Sequence, residues 1–335
     1  MPDTLDRYLP WIALKHIPGI GDHLFKALID IFESPEKVFS APEKELFRVR
    51  GIHSKTAASI KENRPAFAYA GQVIDRMKDT DFSMVSYADD HYPVLLRQIH
   101  DPPPYLMYKG SLSPSEPAVS MVGSRNPTSY GVRAGETLAH DLGKKGLTVV
   151  SGMARGIDSR AHMGALRSGG RTVAVLGSGL NRIYPAENRR LYHEIAQNGA
   201  VVSEFELDQR PDARNFPRRN RIIAGMSAGT CVVEAARKSG SLITARLCAE
   251  YGREVFCVPG SIFSKKSSGT HFLLKQGAKP VENVHDILEE IGQFTGFPDN
   301  TESPEPAAEK RKFSKQETEA KKILEILKVY KWIRY

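Results

Sequence analysis

Apolar residues in the middle of this chain fall into short runs that stop at small polar turns, separated by segments with helical spacing. Val119 and Met121–Val122 form one such run, which ends at Gly123-Ser124-Arg125. The segment 130–145 follows with Val132, Leu138 and Leu142 at helical intervals, and the next run, 147–150, ends at Ser151-Gly152. Short continuous apolar runs suit strands buried on both faces of a parallel sheet. The same reading predicts strands at 118–122, 147–151, 172–176, 200–204, 229–234 and 254–258, with a short last one near 278–281. Helices are predicted at 130–145, 157–168, 188–198, 217–226, 241–251 and 270–276. This alternation defines an α/β fold: an extended Rossmann-like, doubly wound, mostly parallel sheet with right-handed crossovers.

The flanking regions have other patterns. Residues 1–75 are helical in character and contain two related turns, Ile17-Pro-Gly-Ile-Gly21 and Val49-Arg-Gly-Ile-His53. Both resemble helix-hairpin-helix turns, in which glycines let a tight turn present backbone N–H groups to a phosphate. The first copy is complete, whereas the second has His53 in place of the last glycine. A small helical unit whose glycines merely permit the turns would look the same, so both readings stand. From Phe82 to Gly110 aromatics and prolines dominate; Pro102–Pro104 impose an extended path, with a strand expected at Tyr105–Lys109. The expected organisation is therefore a small all-α, SAM-like helix-hairpin-helix domain at 1–75 and the extended Rossmann-like domain at 82–292. A Pro- and charge-rich linker at 293–313 and an amphipathic helix at 314–335 complete it.

Composition narrows the classes. The 335 residues are 41% hydrophobic and 26% charged, as in globular domains. A formal charge of +8 mildly favours an acidic partner. No apolar stretch approaches the roughly 20 residues that span a bilayer, and the first residues lack the pattern of a signal peptide. Cys231, Cys248 and Cys257 have no metal-binding spacing and read as reduced core thiols of a cytoplasmic protein. No metal and no cofactor is expected.

The turns supply the candidate chemistry. A dinucleotide fingerprint needs three spaced glycines and a downstream acid; neither Gly123-Ser-Arg-Asn-Pro nor Gly177-Ser-Gly-Leu-Asn-Arg fits it, and no Gly-Lys-Ser/Thr phosphate loop occurs. What remains is a row of anion-friendly turns along the carboxyl edge of the sheet. Gly123, Ser124 and Arg125 form the first, and Ser151, Gly152 and Gly156 form the second, with Asp158 as a helix-start charge or turn orienter. Tyr184-Pro-Ala-Glu-Asn188-Arg189 forms the third, and Ser241 and Thr244 belong to a hydroxyl-rich helix start. Between Arg210 and Arg221 stand five arginines against one acid, with Phe216 beside Pro217. Arginine forks bind phosphate in a bidentate way and an aromatic among them can stack a base, so Phe216, Arg218, Arg219 and Asn220 join the set. The opposing reading pairs that arginine face with Glu204, Glu206 and Asp208. Glu234 is expected to anchor a turn rather than touch a ligand. The ten histidines fall in no local triad or metal pattern, and no catalytic residue is assigned.

Taken in order, these motifs resemble the DNA-processing protein A (DprA/Smf) family. The matching residues are Gly123-Ser-Arg125, Ser151-Gly-Met-Ala-Arg-Gly-Ile-Asp158, Tyr184-Pro-Ala-Glu-Asn188, Phe216-Pro-Arg-Arg-Asn-Arg-Ile-Ile-Ala-Gly225, Ser239-Gly-Ser-Leu-Ile-Thr244 and Pro259-Gly260. The resemblance covers roughly Phe82 to Ile291, and the helical front is similar to the small N-terminal domain of many members. It implies a homodimer that binds single-stranded DNA, protects incoming DNA in natural transformation, loads the recombinase RecA and helps displace single-strand-binding protein. Family DNA contacts carry over to Ser124, Arg125, Asn188, Arg189, Phe216, Arg218, Arg219 and Asn220. His271 departs from the Asn that many members carry, and of the winged-helix domain that ends longer members the tail would supply only the first helix.

Two other classes compete. A nucleoside-monophosphate phosphoribohydrolase-type enzyme would need a Gly-Gly-x-Gly-Thr turn followed by Glu, which Lys238-Ser-Gly-Ser-Leu-Ile-Thr244 lacks. A protein-interaction scaffold would tolerate loss of Arg125 and Arg218 without a change in DNA affinity.

Overall fold

Nine strands form one sheet in the computed structural model of the chain, which describes residues 3–295. In chain order these are β1 (Ser83–Ser86), β2 (Tyr105–Gly110), β3 (Ala118–Val122), β4 (Thr148–Ser151), β5 (Thr172–Val175), β6 (Gly199–Ser203), β7 (Gly229–Val232), β8 (Glu254–Cys257) and β9 (Lys279–Pro280). Their spatial order is β1-β2-β6-β5-β4-β3-β7-β8-β9. From β6 to β9 every pairing is parallel, while β1 and β2 pair antiparallel and β2 runs antiparallel to β6. The chain winds outward from β3 in both directions, so β3 and its neighbours β4 and β7 mark the topological switch point. Ligands of doubly wound sheets bind outside the carboxyl ends at that point.

The parallel strands are short because each is buried on both faces: β3, β4, β5, β6 and β7 have no exposed residue. Alternation sends Val119 and Met121 to one core layer and Ala118 and Val122 to another. Ser120, between them, is satisfied across the ladder by the Thr230 hydroxyl at 2.6 Å. The sequence missed β1, which lies in the aromatic segment, and extended β7 to residue 234, where the chain has already turned.

Helices follow as α1 (Asp3–Asp6), α2 (Leu9–His16), α3 (Asp22–Phe32), α4 (Pro35–Ser40), α5 (Glu43–Leu46), α6 (Ser54–Lys61) and α7 (Arg64–Lys78) in the front region. The remainder are α8 (Val94–Arg97), α9 (Ser129–Lys144), α10 (Ile157–Arg167), α11 (Arg189–Asn198), α12 (Asn215–Gly225), α13 (Ser241–Glu250), α14 (Ser268–Lys275) and α15 (His285–Thr295). The front helices share one apolar cluster with the sheet region: Leu14, Phe25, Leu28 and Ile74 join Met107, Met153, Leu176, Leu191 and Val201. Among the described residues no helix is long and apolar enough to cross a membrane. The expected linker at 293–313 and tail helix at 314–335 lie outside the described residues, apart from the end of α15 at Thr295.

Two glycines fix how the first turns meet. Gly156 has φ +79°, and a Cβ there would stand 2.3 Å from the Ser124 carbonyl. The close approach lets Ile157 donate its backbone N–H to that carbonyl at 3.1 Å. At Gly123 a Cβ would stand 2.7 Å from the Ile157 side chain. Small residues here are therefore a packing requirement that holds the β3–α9 turn against the start of α10.

Candidate nucleic-acid interface

The carboxyl ends of β3, β4 and β7 open into a cleft of 960 Å³ whose walls include Gly123, Ser124, Arg125, Phe216, Arg219, Asn220, Ser241 and Thr244. Its rim also carries Asn126, Tyr184, Lys238 and Lys266. A smaller recess of 160 Å³ continues past Gly152, Gly177 and Ser178, sharing Arg125, Tyr184 and Phe216 with the cleft.

The first wall is the β3–α9 turn. Thr128 caps α9 by accepting from the Gly131 N–H at 3.1 Å. Glu234, just past β7, accepts the Thr128 backbone N–H at 2.9 Å and also its hydroxyl. Glu234 is thus the turn anchor that the sequence suggested. The turn leaves Arg125 exposed, with no ion-pair partner among the described residues. Its guanidinium lies over the Phe216 ring, 5.4 Å from the centroid. Tyr184, itself half-exposed, packs beside the Phe216 ring with centroids 5.8 Å apart and planes at 42°. Phe216 can sit so low because residue 177 is glycine; a Cβ there would stand 2.7 Å from its ring. One free cation and two tilted rings therefore share the mouth of the cleft.

Beneath them lies a buried polar layer. Asp158 in α10 receives the backbone amides of Ala154 and Gly152 and faces Arg219. Burial pushes its carboxyl up to about 6, against the pull of Arg219. Arg219 is only 4% exposed; its Nη1 donates to the Gly152 carbonyl at 2.7 Å and to the Val175 carbonyl. Burial lowers its pKa to about 10. Asn188 is also buried and donates to the Met153 carbonyl and the Ser159 hydroxyl, both at 2.8 Å. The Ser151 hydroxyl donates to the Met121 carbonyl at 2.6 Å. These groups hold the two turns in register.

A second charged layer joins the front helices to α12. Asp22, in the first turn of α3, accepts from Arg218 at 3.1 Å, from Arg221 at 2.8 Å and from Lys15. Glu204 accepts from the same two arginines at 3.0 Å and 2.6 Å. Burial would raise the Asp22 carboxyl, but Arg221, Lys15 and Arg218 hold it below its ordinary range.

The family described as DNA recombination-mediator protein A matches residues 83–292, more than half of the chain. The chain belongs to that family. A SAM-like helix-hairpin-helix tandem matches residues 12–63 of the helical front. Protein Smf of Synechocystis is 38% identical over 290 residues, covering 84% of this chain and 72% of its own length. DNA processing protein DprA of Streptococcus pneumoniae is 45% identical over 211 residues, covering 63% of this chain and 74% of its own. The X-ray structure of the Streptococcus pneumoniae protein matches with a TM-score of 0.73 at 35% identity over 85% of this chain and 97% of that one. DNA processing protein A of Helicobacter pylori, solved for its single-stranded DNA binding mode, matches with a TM-score of 0.58 at 32% identity. That match covers 64% of this chain and 97% of the other.

Within this family frame the sequence-derived residues take different places. Gly123, Ser124, Arg125, Phe216, Asn220, Ser241 and Thr244 line the cleft. Ser151 and Asn188 are buried and bonded inward, so they brace the turns; Arg219 borders the cleft but is 4% exposed and turns its Nη1 inward to the Gly152 and Val175 carbonyls. Gly152 and Gly156 act by making room. Arg189 is exposed but lies outside the cleft walls. Arg218 is tied to Asp22 and Glu204, so the opposing reading holds for this arginine and for the unassigned Arg221. Sequence reasoning passed over Tyr184 and Lys266 as site residues: Tyr184 stood inside a quoted turn, and Lys266 reaches the cleft from a loop far along the chain. His271 rests against the Gly260 carbonyl at 3.0 Å.

The complete hairpin copy is the worse placed for an anion, since α3 begins with the Asp22 carboxylate. The incomplete copy has Gly51 at φ +100° and no acid in the first turn of α6.

Proposed function

We propose that this protein binds single-stranded DNA along the cleft at the switch point and acts as a recombination mediator. The observation that carries the proposal is Arg125, which forms no ion pair among the described residues, poised over Phe216 with Tyr184 beside it. A cation takes the phosphate of an extended strand while the rings stack its unpaired bases, an arrangement that suits a single strand because duplex bases are already stacked. Ser124, Asn220, Ser241 and Thr244 add neutral donors along the wall. The Helicobacter pylori relative, with its single-stranded DNA binding mode, supports this choice of ligand.

In the same reading the protein works as a cytoplasmic homodimer. It protects incoming DNA during transformation, helps displace single-strand-binding protein and loads RecA, without a chemical step of its own. Family membership and the DprA relatives support this part. The test is fluorescence anisotropy of labelled oligo-dT and a matching duplex across a salt series, followed by RecA strand-exchange assays on coated DNA. Tighter binding to the single strand with a steep salt slope is expected; no binding at low salt would sink the reading.

A further inference from the structure

The loop between β8 and α14 carries two apolar side chains with no packing role: Ile262 is 79% exposed and Phe263 is 90% exposed. The loop is ordered by its own turns. Phe263 N–H donates to the Ser261 hydroxyl at 3.2 Å, Ser264 N–H to the Ser261 carbonyl at 3.0 Å, and Lys266 N–H to the Ser264 hydroxyl at 3.2 Å. It is also fastened at both ends, once to α9 and once to the cleft wall. Tyr130 of α9 donates to the Pro259 carbonyl at 2.7 Å, and the Lys266 ammonium, part of the cleft wall, donates to the Asn126 carbonyl. Lys265, next to it, is exposed and no ion pair is formed with it among the described residues. An aromatic ring is therefore held in water by a well-bonded turn, three residues from the cleft wall and followed by two lysines.

We propose that Phe263 is a further base-stacking position, which takes an unpaired base of a strand leaving the cleft while Lys265 and Lys266 take the adjoining phosphates. This inference rests on the single-strand reading above. The chemistry is that of sequence-tolerant stacking platforms: every base has a π-face, and interleaved cations follow the backbone. Lys266 joins this loop to the Arg125–Asn126 turn, so a strand held by Arg125 and Phe216 needs only to pass Lys266 to reach Phe263.

The test uses the full chain with oligo-dT of two lengths, about 4 and about 16 nucleotides, the limits of typical site sizes per binding fold. Phe263→Ala is expected to weaken binding of the long strand on the order of tenfold and to leave the short one unchanged; Phe263→Trp is expected to restore it, with quenching of the new indole on binding. Equal affinity of wild type and Phe263→Ala for both lengths would overturn the inference and leave the cleft reading standing. If wild type binds neither strand, both fall together. If Phe263→Ala changes the sedimentation of the free protein, the loop is an interface between copies and the stacking role is overturned.

Discussion

The Arg219 guanidinium lies against Gly152, donating from Nη1 to its carbonyl at 2.7 Å. The same nitrogen serves the Val175 carbonyl, so a single buried cation ties the ends of β4 and β5 together beneath the cleft. A Cβ on residue 152 would stand 2.4 Å from Nη2 of Arg219. Gly152→Ala is therefore expected to cost about 1–3 kcal/mol through overpacking. Thermal denaturation would show it as a lowered Tm, and an unchanged Tm would mean that the guanidinium has room to move.

Arg125 and Arg218 should behave differently when each is truncated to alanine. Arg125 is exposed and unpaired among the described residues, so its loss should remove one phosphate contact and reduce the salt slope for a single strand by about 0.7. Stability should stay within about 0.5 kcal/mol of wild type, as for surface changes generally. Arg218 is held by Asp22 and Glu204, and its truncation should move the slope less. Anisotropy titrations at several salt concentrations measure both; equal slopes for the two variants would contradict the ranking.

The carboxylates that hold Arg218 compete with phosphate for it. Asp22→Asn keeps the shape and removes one competing charge, so strand affinity is expected to rise a few-fold at low salt, with Arg221 still paired to Glu204. Weaker strand binding by Asp22→Asn would show that the ion cluster positions Arg218 for DNA instead of occupying it.

Asp158 gives a pH signature. Its carboxyl stands at about 6 in the folded protein against an ordinary value of 3.8, with burial as the main cause. A raised carboxyl pKa means that the folded state holds the proton to higher pH than the unfolded chain. The stabilising contribution is complete below about pH 4 and is lost as pH rises through about 6. Asp158→Asn removes this dependence while keeping an acceptor for the two backbone amides. The stability difference between wild type and variant should therefore change by about 2–3 kcal/mol from pH 4 to pH 7. Parallel denaturant curves at the two pH values would refute this if the difference stayed constant.

Much of the sheet was legible because its strands obey one rule: an apolar run buried on both faces must end where the turn begins, as at Val122-Gly123 and Ser151-Gly152. The strand β1 escaped because its four residues place only Met84 and Val85 between two serines, too short an apolar run to signal a strand although three of the four are buried. At the cleft, residue types were readable but their direction was not. The run from Arg210 to Arg221 looks like one cationic face, yet helical geometry turns its members apart. Arg219 points under the turns, Arg221 and Arg218 point to the front helices, and Arg214 pairs with Asp212. Lys266 joins the cleft only through tertiary contact, which no local spacing encodes.

The apolar cluster that runs from Leu14 and Phe25 through Met153 to Val201 belongs to both the helical front and the sheet. The two parts share this layer, while two further apolar clusters lie wholly within the sheet region, and the Asp22–Arg221 pair adds a buried charge on each side of the same seam. The two family modules in this chain are consequently one thermodynamic body. Calorimetry should record a single endotherm with matching van't Hoff and calorimetric enthalpies. Excising the front would uncover the apolar flank formed by Met107, Leu176 and Val201, while Arg221 would keep Glu204 as its partner.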